Sequence, residues 1–249
     1  MLRRVWVIAA FATLGLQAVP AGAQNRENGP RFPMFSMGSI GAELLMAHPR
    51  GELRENAGIG FGFGGHGLLA IDKWGIGGLR LDLGLINYGS ETKRYECGQF
   101  CFYEATTTNN IINMQVGGQL VMPRKYILPY VGASYGALWF TTDSRVETDS
   151  DNPSPFRHNV RSGDATGSYM FASGVYFPMG GALAGLTGNI GARVFTGGYA
   201  RYLTPKSLRR EADGSYTVTS YTSHTEFLVI HIGVSSSMGP KKSRPSVRE

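Results

Sequence analysis

The stretch from Ile59 to Tyr88 constrains the fold most. In its first half Ile59, Phe61 and Phe63 alternate with Gly60, Gly62 and Gly64. In its second half Leu79, Leu81, Leu83 and Leu85 alternate with Arg80, Asp82 and Gly84. Strict alternation is the period of a strand, because successive side chains point to opposite faces. Asp72-Lys73-Trp74-Gly75 is a tight polar turn between the halves. The stretch therefore reads as a hairpin with one apolar face. Its other face is small or charged, which suits the inside of a narrow closed barrel, with the apolar face meeting lipid.

The N-terminus indicates export. Arg3 and Arg4 precede an apolar run from Val5 to Leu16, and Ala21-Gly22-Ala23 follows. That order is a secretory signal peptide over residues 1–23, with cleavage after Ala23. The rest contains no apolar run near the roughly 20 residues a spanning helix needs. A mean hydropathy of −0.12 is compatible with a membrane barrel, where only alternate residues need be apolar. The 35 glycines fall within alternating segments, without a collagen period. The formal charge of +6 is scattered and lacks interleaved aromatics, so nucleic acid is not an expected partner.

Residues 24–35 read as a periplasmic leader, 36–238 as the barrel and 239–249 as a basic tail. Eight strands are expected, at 36–47, within the hairpin 57–89 (two), and at 108–122, 126–142, 165–177, 184–203 and 222–236. His48-Pro49-Arg50-Gly51 breaks the first. The links near Lys73, Arg124 and Gly180 are short. Those at 90–107, 143–164 and 204–221 are long and polar. Short turns on one side and long loops on the other mark an outer-membrane barrel. Trp74, Tyr126, Tyr130 and Phe177 lie near short turns, and Tyr88, Trp139, Phe140, Tyr199 and Tyr202 near long loops. These two bands are expected to form the interfacial girdles.

With these residues in view, the chain resembles the small eight-stranded outer-membrane β-barrel family, the OmpA/OmpX type. The resemblance rests on the signal peptide, the Gly-Phe-Gly-Phe-Gly run at 60–64, the leucine alternation at 79–85 and the eight-strand rhythm. It implies an all-β fold, an eight-stranded antiparallel up-and-down transmembrane β-barrel in the bacterial outer membrane. It further implies periplasmic termini and extracellular long loops. Larger members carry a C-terminal peptidoglycan-binding domain, where this sequence has only a short tail after Met238. Members often end the last strand on an aromatic residue, whereas this one runs into Ser235-Ser236-Ser237-Met238.

By parity, Glu43, His66, Arg80, Asp82, Gln115, Gln119, Asn189, Arg193 and His231 point inward. Glu43, Arg80, Asp82 and Arg193 can neutralise one another as a charge cluster, since an isolated buried charge is heavily penalised. A plugged lumen with no large conductance is expected, and a narrow gated pore stays open as the alternative. A lipid A-modifying enzyme would need a nucleophile within reach of its base. Ser223 falls on the opposite face from His224 and Glu226, so no catalysis is expected. A soluble lipocalin-like barrel would need a polar outer face. Cys97 and Cys101 lack the further ligands zinc requires, and in an exported chain they are expected to form a disulfide. No metal or cofactor is expected. The expected partners are outer-membrane lipids, lipopolysaccharide and the barrel-assembly machinery, and the expected state is a monomer.

Overall fold

The computed structural model describes residues 38–72, 76–98, 101–122, 127–148, 160–180, 183, 185–202, 208–210, 216–218 and 220–238. The expected signal peptide, leader and tail, and Trp74 and Tyr126, lie outside the described residues. Eight strands close a barrel: β1 (Gly38–Arg50), β2 (Gly60–Ala70), β3 (Gly77–Gly98), β4 (Cys101–Val121), β5 (Leu128–Thr148), β6 (Val160–Pro178), β7 (Leu186–Tyr202) and β10 (Tyr221–Ser237). All neighbours are antiparallel, and β1 closes the ring against β10. A small hairpin, β8 (Leu208–Arg210) with β9 (Tyr216–Val218), lies between β7 and β10. Among the described residues no helix is long and apolar enough to cross a membrane.

Alternation dictates the two faces. The outer wall carries Ile40 and Leu44 on β1, Phe61 and Phe63 on β2, and Leu79, Leu81 and Leu83 on β3. It continues with Met114 and Val116 on β4, Val131 and Tyr135 on β5, Tyr169 and Phe171 on β6, Ile190 on β7, and Ile230 and Ile232 on β10. An apolar belt therefore surrounds the whole cylinder. Parity is decisive at one step of β3: Leu83 is 49% exposed and Asp82 0%. A one-residue slip would exchange those faces, so burial pins the register.

Two sequence expectations are corrected. The segments 90–107 and 143–164 are not simply loops. The β3–β4 ladder continues to Gly98 opposite Cys101, and β5–β6 pairing continues to Ser144 opposite Val160. Threonines and valines in these segments favour extended backbone, so polarity alone misplaces the strand ends. Likewise His48-Pro49 does not break β1. The strand keeps pairing with β10 through Arg50, while its β2 ladder stops at Ala47. Pro49 thus sits where β1 has an open side, which proline tolerates. The turn falls at Gly51, whose φ is 56°, a conformation glycine adopts without steric cost. A one-turn helix, α1 (Leu53–Asn56), follows and buries Leu53.

Candidate functional site

The interior is where polar chemistry concentrates. Glu43 from β1, His66 from β2, Arg80 and Asp82 from β3, and Arg193 from β7 all project inward and are almost fully buried. Arg80 and Asp82 share a strand face two residues apart. Arg80 Nε donates to both Asp82 carboxylate oxygens, at 3.0 and 2.8 Å, and Arg80 Nη2 donates to Oδ1 at 2.7 Å. Arg193 Nη2 donates to Glu43 Oε2 and lies 3.3 Å from Asp82 Oδ1. Arg80 Nη2 closes the set at 3.7 Å from Glu43 Oε1. Two carboxylates and two guanidiniums therefore form one connected network. Charges so far from water persist only when paired and hydrogen-bonded.

Further buried side chains extend the network. Glu43 Oε1 accepts from Asn189 Nδ2 at 2.9 Å and sits 2.8 Å from His66 Nδ1. His66 Nε2 contacts Ser235 Oγ at 3.2 Å. Arg80 Nη1 donates to Gln119 Oε1 and, at 3.2 Å, to the Tyr176 hydroxyl. Gln115 Nε2 donates to Ser168 Oγ at 2.7 Å. The Tyr130 hydroxyl donates to Asn189 Oδ1 at 3.2 Å and lies 2.8 Å from His231 Nε2. Every residue placed inward by parity is buried within the barrel.

Sequence reasoning missed two members, Tyr130 and Tyr176. A girdle position is expected for Tyr130 from its place near a turn, yet it is 1% exposed, its ring 4.7 Å from that of Tyr176 and 5.6 Å beneath the Arg80 guanidinium. Room for it comes from glycine: a Cβ at Gly174 or Gly191 would come within 2.7 or 2.8 Å of its hydroxyl. The parity of Tyr130 with inward Ser134 was the available signal.

Tyr88, Phe140 and Tyr202 also turn inward rather than into a girdle. Toward the long-hairpin end they form an aromatic layer, Phe140 stacked on Tyr202 at 5.7 Å and Tyr88 edge-on to both. Phe195 stacks on Phe227 at 4.6 Å deeper in the barrel, two residues along β7 from Arg193. Toward the short-turn end, Leu68, Val121 and Leu128 are buried at the strand ends. Buried Ser39, Thr187 and Ser235 share that end, so the polar network lies below the aromatic layer and is not closed off by a second apolar one. Only Trp139, Tyr199 and Phe177 of the expected girdle residues face outward among those described.

Ser223, His224 and Glu226 do not converge. The Ser223 hydroxyl lies inside, 2.9 Å from the Tyr202 hydroxyl, while His224 Nδ1 sits 2.9 Å from the Gly197 carbonyl and the His224 ring is tilted at 49° to that of Tyr199. No cluster of three or more potential metal ligands occurs among the described residues. At the β3–β4 tip the register shifts between Glu96 and Gly98, and Gly98 pairs with Cys101. Cys97 is therefore the extra residue of a bulge beside Cys101; the two side chains lie outside the described ones.

An apolar belt outside and a polar, paired interior is the inverse of a water-soluble barrel. It is the architecture of an outer-membrane β-barrel. No protein-family model and no curated protein matches the sequence. Similar solved structures include Neisserial surface protein A, at 12% identity and TM-score 0.40, over 81% of this chain and 97% of that one. Another is Ail, the attachment invasion locus protein of Yersinia pestis, in complex with the heparin analogue sucrose octasulfate. It is 10% identical with TM-score 0.39, over 80% of this chain and 97% of that one. A third is a major outer membrane protein from Thermus thermophilus, 10% identical with TM-score 0.36, over 80% of this chain and 98% of that one. At such identities the likeness concerns fold alone.

Proposed function

We propose that this chain is a monomeric integral barrel of the bacterial outer membrane with a structural or surface-interaction role and a solid, non-conducting interior. The observation that carries the reading is the filled lumen. Two carboxylates and two guanidiniums neutralise one another below an aromatic layer, and eight strands leave space mostly for side chains. An ion crossing this interior would have to break the pairing and also part the Phe140–Tyr202 layer. The narrow gated pore is the less favoured alternative for that reason.

A lipocalin-like carrier needs the opposite arrangement, a polar wall around an apolar cavity. A lipid A-modifying enzyme needs a base beside Ser223, and Tyr202 occupies that position. The β3–β4 and β5–β6 hairpins, which outrun the apolar belt, would supply contacts to partners outside the cell. Folding would proceed through the barrel-assembly machinery, with lipopolysaccharide and phospholipid as the surrounding solvent.

Fractionation tests the reading. The chain should remain with outer membranes until detergent is added. Unboiled, it should migrate differently on a gel from the boiled chain. Recovery in the soluble periplasmic fraction, with no such shift, would refute the proposal.

A further inference from the structure

We infer that the β1–β2 connection is a strap latched across the long-hairpin mouth of the barrel, with the Glu52 carboxylate as its catch. The rim of that mouth is uneven. Pairing of β3 with β4 and of β5 with β6 runs on to Gly98 and Ser144, whereas the β1–β2 ladder stops at Ala47 and the β1–β10 ladder at Arg50, opposite Glu226. β10 itself continues along β7 to Tyr221. Its edge from Tyr221 to Thr225 therefore has no strand on the β1 side. A backbone donor on such an edge needs a substitute partner.

Glu52 is that substitute. The β1–β10 register would bring residue 52 opposite His224, but the chain turns away at Gly51, whose φ is 56°. The Glu52 side chain makes the bond that its backbone no longer can: Oε2 accepts from the His224 backbone N–H at 3.0 Å. Glu52 is also the N-cap of α1, where a side-chain acceptor ordinarily serves the helix's own free N–H groups. It makes no such bond. The carboxylate is thus committed to β10 rather than to its own helix. The receiving strand is held in turn by β7. Thr225 Oγ1 donates to the Gly198 carbonyl at 3.0 Å, and His224 Nδ1 lies 2.9 Å from the Gly197 carbonyl.

Leu53 is the second anchor. It is 1% exposed and belongs to the interior apolar cluster that includes Ala47, Tyr88 and Tyr202. A leucine buried from this short helix sets α1 over the rim where the wall is lowest. Four residues are too few for a helix to hold by itself, so α1 depends on Leu53 and on the Glu52 catch. Opening it breaks one hydrogen bond and one apolar contact, while every barrel ladder stays closed. Segments held by so few contacts open well before the global fold does. The strap is therefore the part of the mouth that opens first, and the layer of Tyr88, Phe140 and Tyr202 is what its opening exposes.

The test follows amide hydrogen exchange by NMR in the full mature chain folded in detergent micelles. The His224 amide should be protected in the wild type and should exchange about tenfold faster in Glu52→Ala, the scale of one hydrogen bond to a charged group. Glu52→Gln keeps an acceptor and should restore most of the protection. The amides of Ile230 and Ile232, further along β10, should exchange alike in all three proteins. Nitration by tetranitromethane, located by mass spectrometry, reports the mouth. Tyr88 and Tyr202 should be modified faster in Glu52→Ala and in Leu53→Ala than in the wild type. Unchanged His224 exchange in Glu52→Ala would overturn the catch. Equal protection of Tyr88 and Tyr202 in the wild type and both variants would overturn the strap. Loss of gel heat-modifiability in Glu52→Ala would also count against it, because the strap opens without the barrel.

Discussion

Glu43 and Arg193 form an ion pair across a strand to which neither belongs. Glu43 is on β1 and Arg193 on β7, with β10 between them. Their side chains nonetheless meet inside, where Glu43 Oε2 accepts from Arg193 Nη2. The barrel is thus tied across its lumen as well as around its wall. Removing one partner leaves the other charged and buried, at a cost of about 3–5 kcal/mol. Glu43→Ala and Arg193→Ala should each lower stability by that amount in urea unfolding from vesicles. The double variant should lose less than the two single losses added, since neither charge is then stranded. Full additivity would show that the pair does not couple.

The face assignment is tested on adjacent residues. Leu83→Arg places a cation on the lipid side and should cost about 2–4 kcal/mol if it lies near the bilayer midplane. Parity alone suggests that Asp82→Asn, facing inward, is the milder change. The contacts reverse that expectation. Asp82 accepts three hydrogen bonds from Arg80 and approaches Arg193, so its neutralisation leaves unbalanced positive charge. Both variants should therefore destabilise refolded barrels, and a wild-type unfolding midpoint for Leu83→Arg would place that face wrongly.

How far the sequence reached is clear from these residues. Period-two alternation placed Leu83 outside and Asp82 inside, because a strand has only two faces and one of them is apolar. The same rule put Glu43, Arg80 and Arg193 in one interior. It could not choose the partners, because Glu43 and Arg193 meet through strand tilt and side-chain reach rather than through ladder pairing. Tyr130 shows another limit. Proximity to a turn suggested a girdle, but the void above Gly174 and Gly191 drew the ring inside. The strand ends differ because a strand beyond the apolar belt no longer needs an apolar face, so Thr92 and Thr106 carry no alternation signal.

Tyr130 makes a separate prediction. Its hydroxyl joins Asn189 to His231. Tyr130→Phe keeps the ring and removes that link, which should cost about 1–3 kcal/mol for buried groups left unsatisfied. Unfolding of the variant in vesicles measures it, and an unchanged midpoint would show that the link contributes nothing.

The hairpin tip is tested by thiol chemistry. The bulge at Cys97 places its backbone beside Cys101, and we propose that the two are joined. Closing so short a loop stabilises by about 2 kcal/mol in the chain-entropy model. Labelling of folded protein without reductant should find no reactive thiol. Two labelled thiols per chain would rule the bond out.

Single-channel recording in planar bilayers tests the sealed interior most directly. Wild type, Arg80→Ala and the double variant Phe140→Ala, Tyr202→Ala are compared. The wild type should show no large, steady current. Arg80→Ala should weaken the fold yet stay closed, because the aromatic layer between the network and the long hairpins is intact. Charge pairing alone would instead have the loss of one partner open the barrel, so this variant separates the two expectations. Currents should increase only when the layer itself is thinned. A large, steady wild-type current, unaltered by any of these substitutions, would contradict the account and establish a pore.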